Sequence, residues 1–217
     1  MPRREDVSYF GAGPAPLPTA VLEDAARAIL NYNDMGIGIA EISHRSPEAN
    51  KILADTKDSL SELLSISKDY EILFLQSGGS GEFSAVVYHM VGLWVERQRL
   101  KLEKTWRDSQ LDDQSDERKL EVLRQTVKKS LRLDYLITGS WSLKASQEAA
   151  RLVGSEYVHV ATDAREHNDG KFGAIPPEAT WNLKLPADDR VEHHPMQPAF
   201  TYYCDNETVD GKLGTFT

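Results

Sequence analysis

Cysteine is almost absent from this sequence: Cys204 is the only one in 217 residues. A lone cysteine has no internal partner, which excludes a disulfide framework, and one cysteine among scattered histidines makes no zinc-ligand spacing. Long apolar runs are missing too. None approaches the ~20 residues that a membrane-spanning helix requires. The opening Met1-Pro2-Arg3-Arg4-Glu5-Asp6 carries charges of both signs and leads into no apolar core, unlike a secretory signal. An excess of basic charge is also lacking: 25 Lys+Arg stand against 34 Asp+Glu, a net charge of −9, so the electrostatic footprint of a nucleic-acid binder is not expected. Together these absences describe a cytoplasmic protein with no membrane, metal or nucleic-acid partner. What a core needs is present. With 40% apolar and 27% charged residues, the composition is that of an ordinary globular chain long enough to bury one.

Periodicity then organises the chain. After Gly11-Ala12-Gly13-Pro14-Ala15-Pro16-Leu17-Pro18, apolar residues Val21, Leu22, Ala25, Ala26, Ile29 and Leu30 recur at helical spacing and predict a helix over about 19–31. Ser46-Pro47 reads as an N-cap with proline at the first helical position, opening a second helix that reaches about Leu64. Tyr70 to Leu75 is a short apolar run suited to a buried strand, ended by Ser77-Gly78-Gly79-Ser80-Gly81. Phe83 to Val95 reads as a largely buried helix. From 96 to 132 the character changes to eight acids and eleven bases with sparse apolar residues, the pattern of a solvated helical hairpin. Strands are expected at Tyr135–Thr138, Tyr157–Val160 and Ala199–Cys204, with a helix from about Trp141 to Val153. Alternating strands and helices imply an α/β fold: a mostly parallel sheet with helices on both faces.

In such sheets ligands bind beyond the C-terminal ends of the strands, and three segments are expected there. Ser77 to Glu82 joins a strand to a helix start, where glycine backbone N–H groups and serine hydroxyls suit a phosphate, although a plain glycine-rich turn fits equally well. The segment matches neither nucleotide-binding glycine motif. Trp141 follows Gly139-Ser140 and offers an indole to stack on a planar ring; packing in the core is the simpler reading. Asp205-Asn206-Glu207-Thr208 supplies a hydroxyl, and as a turn it needs no ligand. Arg45 presents the planar fork that grips a carboxylate, and a surface arginine is its plain alternative. His193-His194 fits a surface loop better than a metal site, and Cys204 fits a small strand hydrophobe.

Taken together, Phe10 to Pro18 with Val21-Leu22, Ile42-Ser43-His44-Arg45-Ser46, Gly78-Gly79-Ser80-Gly81-Glu82-Phe83, Thr138-Gly139-Ser140-Trp141-Ser142 and Tyr203 to Gly211 resemble the phosphoserine aminotransferase family in order and spacing. The resemblance covers most of residues 7–211. It implies an incomplete large domain of the fold-type I, aspartate aminotransferase-like fold, dependent on pyridoxal 5′-phosphate. The implied reaction moves the amino group between L-glutamate and 3-phosphohydroxypyruvate, giving O-phospho-L-serine and 2-oxoglutarate in serine biosynthesis. By position, Gly79 and Ser80 are implied as contacts to the cofactor phosphate, Trp141 as the stacking partner of the pyridine ring, and Thr208 as the partner of the ring 3-hydroxyl. Arg45 is implied to hold the substrate carboxylate, with the backbone near Ala12 beside it. Ser80 stands where some members carry arginine.

The resemblance also sets expectations for organisation. Residues 1–18 are expected to form an arm reaching the substrate site, 19–211 a partial cofactor-binding domain with a charged surface insertion at about 96–132, and 212–217 a divergent tail. The family's ring-nitrogen aspartate and Schiff-base lysine lie downstream of Gly211. Lys212, four residues past Thr208, cannot replace that lysine, so no catalytic residue is expected in this chain and no activity of it alone. The family is homodimeric. The alternative expectation is a non-catalytic truncated form that pairs with a full-length subunit. A cysteine desulfurase relative is disfavoured, because that group stacks a histidine on the ring where this chain has Trp141.

Overall fold

The computed structural model describes residues 2–11, 14–76, 78–109, 114–183 and 198–213. By its internal packing the chain divides into two units, Met1–Leu75 and Gln76–Thr217.

The first unit is built on two helices. Helix α1 spans Thr19–Leu30, close to the predicted bounds. Helix α2 spans Pro47–Leu64 and starts as its sequence dictates: the Ser46 hydroxyl accepts the Ala49 N–H at 3.2 Å, and Pro47 occupies the first position, where a missing N–H is harmless. The strand expected at Tyr70–Leu75 does not form. Those residues belong to no ladder, and Leu73 is 69% exposed. A strand exists only through hydrogen bonds to a neighbour. No strand of the first unit stands among the described residues, so the apolar run has nothing to pair with inside it.

The second unit opens with α3, Gly79–Asp108, a 30-residue helix. It departs from expectation in two ways. It runs well past Val95, because charge of mixed sign at helical spacing continues it: Arg99 bridges Glu96 and Glu103 on one face. It is also not largely buried. Only Val87 and Trp94 are buried, with Phe83, Val91 and Val95 packed partly against the core. Helix α4, Asp116–Ser130, is capped by the Ser115 hydroxyl and packs on α3, so the charged stretch is helical on both sides of 110–113.

A three-stranded parallel sheet follows, with β1 (Leu133–Ile137) between β2 (Val158–Asp163) and β3 (Phe200–Tyr202). Helix α5, Ser140–Val153, connects β1 to β2, the crossover that parallel neighbours require. Its small residues Ser142, Ala145, Ser146 and Ala149 form the buried stripe. The central strand is buried on every side, reading Leu133-Asp134-Tyr135-Leu136-Ile137, as a covered parallel strand should. Asp134 is accommodated there by the buried guanidinium of Arg132, which also donates to the Asn182 carbonyl at 3.3 Å. Two short antiparallel strands, β4 (Asn206–Glu207) and β5 (Lys212–Leu213), replace the simple turn expected at 205–208.

Candidate functional site

Beyond the C-terminal ends of β1 and β3 the second unit holds a cleft of about 620 Å³. That size lies within the range of small-molecule sites. Three chain segments meet there: Gly79, Ser80 and Phe83 from the start of α3, Trp141, Lys144, Ala145 and Glu148 from α5, and Tyr202, Cys204 and Asn206 from the end of β3 to the start of β4. The aromatic floor is set by Tyr202, whose ring meets Phe83 edge to face at 5.5 Å and Tyr135 at 5.4 Å.

At one end lies the N-terminus of α3. Gly78 is the cap residue and provides no side-chain acceptor, so the first N–H groups of the helix have no partner within it. A Cβ built on Gly78 or Gly79 meets nothing within 4 Å, leaving open space in front of these donors. The combination of free N–H groups, a positive helix end and room to approach suits an anionic group.

At the other end stands Trp141, 44% exposed, which overturns the plain core reading of that residue. Its indole Nε1 donates to Thr208 Oγ1 at 3.2 Å, and Lys144 Nζ lies 4.5 Å from the ring centroid. Thr208 is thereby brought to the indole edge from 67 residues away.

The backbone at this end is pinned by two acids that the sequence did not single out. Glu207, 1% exposed, accepts the Trp141 N–H at 2.8 Å and the Ser142 N–H at 2.9 Å. Asp210 accepts the Ser140 N–H at 2.6 Å. The Ser142 hydroxyl closes the strand-to-helix turn by accepting from the N–H groups of Thr138 and Gly139. These partners fill the anion-attracting end of α5 with the protein's own carboxylates, which separates it from the uncapped end of α3.

Cys204 lines the cleft, but burial, with the Glu207 carboxylate nearby, pushes its thiol up from its usual value. It stays protonated at neutral pH and behaves as the small hydrophobe read from the sequence. Arg45 belongs to the first unit, in the turn before α2, exposed and with no ion pair among the described residues. Ala12 and the pair His193-His194 lie outside the described residues. No helix among those residues is long and apolar enough to cross a membrane, and no cluster of potential metal ligands occurs among them.

Known proteins resemble the chain over nearly its whole length. The family model for aminotransferase class V matches residues 7–100. A phosphoserine aminotransferase of Saccharomyces cerevisiae is 37% identical over 209 residues, covering 96% of this chain and 43% of the relative. One of Drosophila melanogaster is 33% identical, over 94% of this chain and 42% of its own length. Among solved structures, phosphoserine aminotransferase with its Schiff base under radiation damage superposes with a TM-score of 0.63 at 25% identity, over 96% of this chain and 43% of that one. The pyridoxal-phosphate-bound enzyme of Trichomonas vaginalis gives 0.63 at 26%, over 95% and 46%. The chain thus spans less than half the length of the relatives it matches, yet nearly all of it is matched, across both units and through every segment of the cleft. Over nearly its whole length the chain is similar to an N-terminal portion of phosphoserine aminotransferases, whose fold its sheet and helices share.

Proposed function

We propose that these residues form the cofactor-cradling part of a phosphoserine transaminase, which binds pyridoxal 5′-phosphate and exchanges an amino group between L-glutamate and 3-phosphohydroxypyruvate to give O-phospho-L-serine and 2-oxoglutarate. The observation that carries this reading is the convergence, in one cleft, of an uncapped glycine-lined helix start and an exposed indole tied to a threonine hydroxyl.

The residues fit the group. The Gly79 and Ser80 backbone N–H groups, with the Ser80 hydroxyl, hold the phosphate, and the open space at Gly78 and Gly79 admits it. Trp141 orients the pyridine ring by stacking, and Thr208 bonds the ring's 3-hydroxyl. Phe83 and Tyr202 exclude water from the apolar wall. By the family resemblance Arg45, in the first unit, would hold the substrate carboxylate; Ala12, the other substrate contact the resemblance implies, lies outside the described residues. When bound, the cofactor supplies an electron sink for transamination. The lysine and the ring-nitrogen carboxylate that this chemistry needs are supplied by family positions outside residues 1–211, so we assign these 217 residues binding and orientation but not amino transfer. The protein acts as a cytoplasmic homodimer; within it, the second reading is a non-catalytic form that pairs with a full-length subunit.

The test uses the longer protein containing this sequence. Glutamate-dependent conversion of 3-phosphohydroxypyruvate to O-phosphoserine is expected, abolished on removing pyridoxal phosphate and strongly reduced in Trp141→Ala. Activity independent of the cofactor, or no activity with this pair of substrates, would refute the reading.

A further inference from the structure

We propose that Glu207 is a positioning residue of the cleft. Its buried carboxylate holds Trp141 and Thr208 in the one mutual arrangement that receives a planar ring. The inference rests on the reading above, that a ring stacks on Trp141, and adds a residue to it.

A helix start is ordinarily capped by the side chain just before it, from Ser, Thr, Asp or Asn. Helix α5 has Gly139 there, which carries none. The caps arrive instead from residues 65 to 70 positions later, in the segment that also bears Thr208. Trp141 is consequently held twice by consecutive residues: its backbone N–H by Glu207 and its indole N–H by Thr208. Two bonds from one short segment, the end of β4 and the residue after it, to one residue fix the position of the indole as well as its edge. Glu207 makes no ion pair among the described residues; its carboxylate is met by the two N–H groups, the positive end of α5 and the Cys204 thiol. Gly139 is part of the same device. A Cβ there would stand 2.5 Å from Glu207 Cδ and 2.6 Å from its Cγ, so the carboxylate reaches its place only because residue 139 has no side chain. A cap serving helix stability alone would not require a distant acid, an absent side chain and a neighbouring indole contact at once.

The experiment labels the chain with 5-fluorotryptophan and assigns the Trp141 resonance by its loss in Trp141→Phe. Glu207→Gln, which can accept but no longer matches two donors with charge, is expected to shift or broaden that line. Glu207→Asp, one methylene shorter, should move it in the same direction and carries the test if the glutamine variant does not fold. Val87→Ala lowers stability from the core and is expected to leave the line unmoved. Binding of pyridoxine 5′-phosphate, which has the ring and phosphate but no aldehyde, is read alongside. Glu207→Gln should weaken it roughly tenfold, the size expected when groups in contact are uncoupled, and should have no further effect in a Trp141→Ala background. An unmoved Trp141 resonance in both Glu207 variants, or additive losses in the double variant, overturns the proposal while normal binding by the unaltered chain keeps the ring reading intact. Absence of binding by the unaltered chain overturns the ring reading, and with it the ligand role of Glu207.

Discussion

Replacing Gly139 by alanine tests the close approach on which the cleft depends. The backbone at 139 is extended, with φ of −169°, a conformation any residue adopts, so the substitution brings no conformational strain. By shrinking the freedom of the unfolded chain it would on its own stabilise by ~0.4–1 kcal/mol. The added methyl, however, would lie 2.5, 2.6 and 2.7 Å from three carbons of Glu207, where carbon atoms prefer about 3.5–4.0 Å. The acid must withdraw by roughly 1 Å, which breaks its bonds to the N–H groups of Trp141 and Ser142. Ser142 is fully buried, so its N–H finds no water to replace the carboxylate. A buried donor left without its partner costs about 1–3 kcal/mol, and the half-exposed Trp141 N–H costs less. After the gain from the unfolded state, a net loss of about 2 kcal/mol is expected, read as a lower urea midpoint at unchanged slope. In a Glu207→Gly background the same alanine should be close to neutral. A Gly139→Ala change within about 0.5 kcal/mol of zero, the range of inert surface substitutions, would refute the reasoning, as would an equal loss in both backgrounds.

Three further outcomes are expected. Ser46→Ala removes the hydroxyl that caps α2 and should destabilise the first unit by about 1 kcal/mol in thermal or urea unfolding. Tyr135→Phe deletes a buried hydroxyl that has no hydrogen-bond partner among the described residues, and should leave stability unchanged or raise it by up to about 1 kcal/mol in the same assay. Burial pushes the Asp163 carboxyl up, but the Arg165 guanidinium and N–H outweigh it and hold it below its ordinary value of 3.8. The stabilisation it gives is therefore present above that value and lost as pH falls through the lower, folded one. Asp163→Asn should unfold more readily than the unaltered chain at pH 7, with the gap closing below about pH 4 in a urea series across pH.

How much of this was legible in the sequence depended on how local each signal was. The start of α2 could be placed to the residue, because Ser46 and Pro47 act on the turn they precede. The sheet strands were legible from short apolar runs, and the helix after β1 from its spacing. The run at Tyr70–Leu75 has the same composition as a true strand; what it lacks is a ladder partner, which no local pattern reveals. The length of α3 was underestimated because the change to charged residues at Glu96 resembles a boundary, whereas Arg99 with its two acids continues the helix. Among the expected site residues, Gly79, Ser80, Trp141 and Thr208 came from family resemblance, and the structure brings them together within the second unit. Glu207 was not, since an acid in a polar turn announces nothing about a helix start 66 residues earlier. The one available signal was Gly139, a cap position with no capping side chain, which implies that the acceptor comes from elsewhere.

The bond between the Trp141 indole and the Thr208 hydroxyl also gives the cleft a direction. An indole N–H has a proton and no lone pair to offer, so in this pair the threonine oxygen accepts. Its own hydrogen is then left pointing away, available to whatever occupies the space beside it. The indole takes one of the two lone pairs of the hydroxyl, so a ligand oxygen beside it meets one donor hydrogen and one remaining acceptor site where a free hydroxyl would offer two.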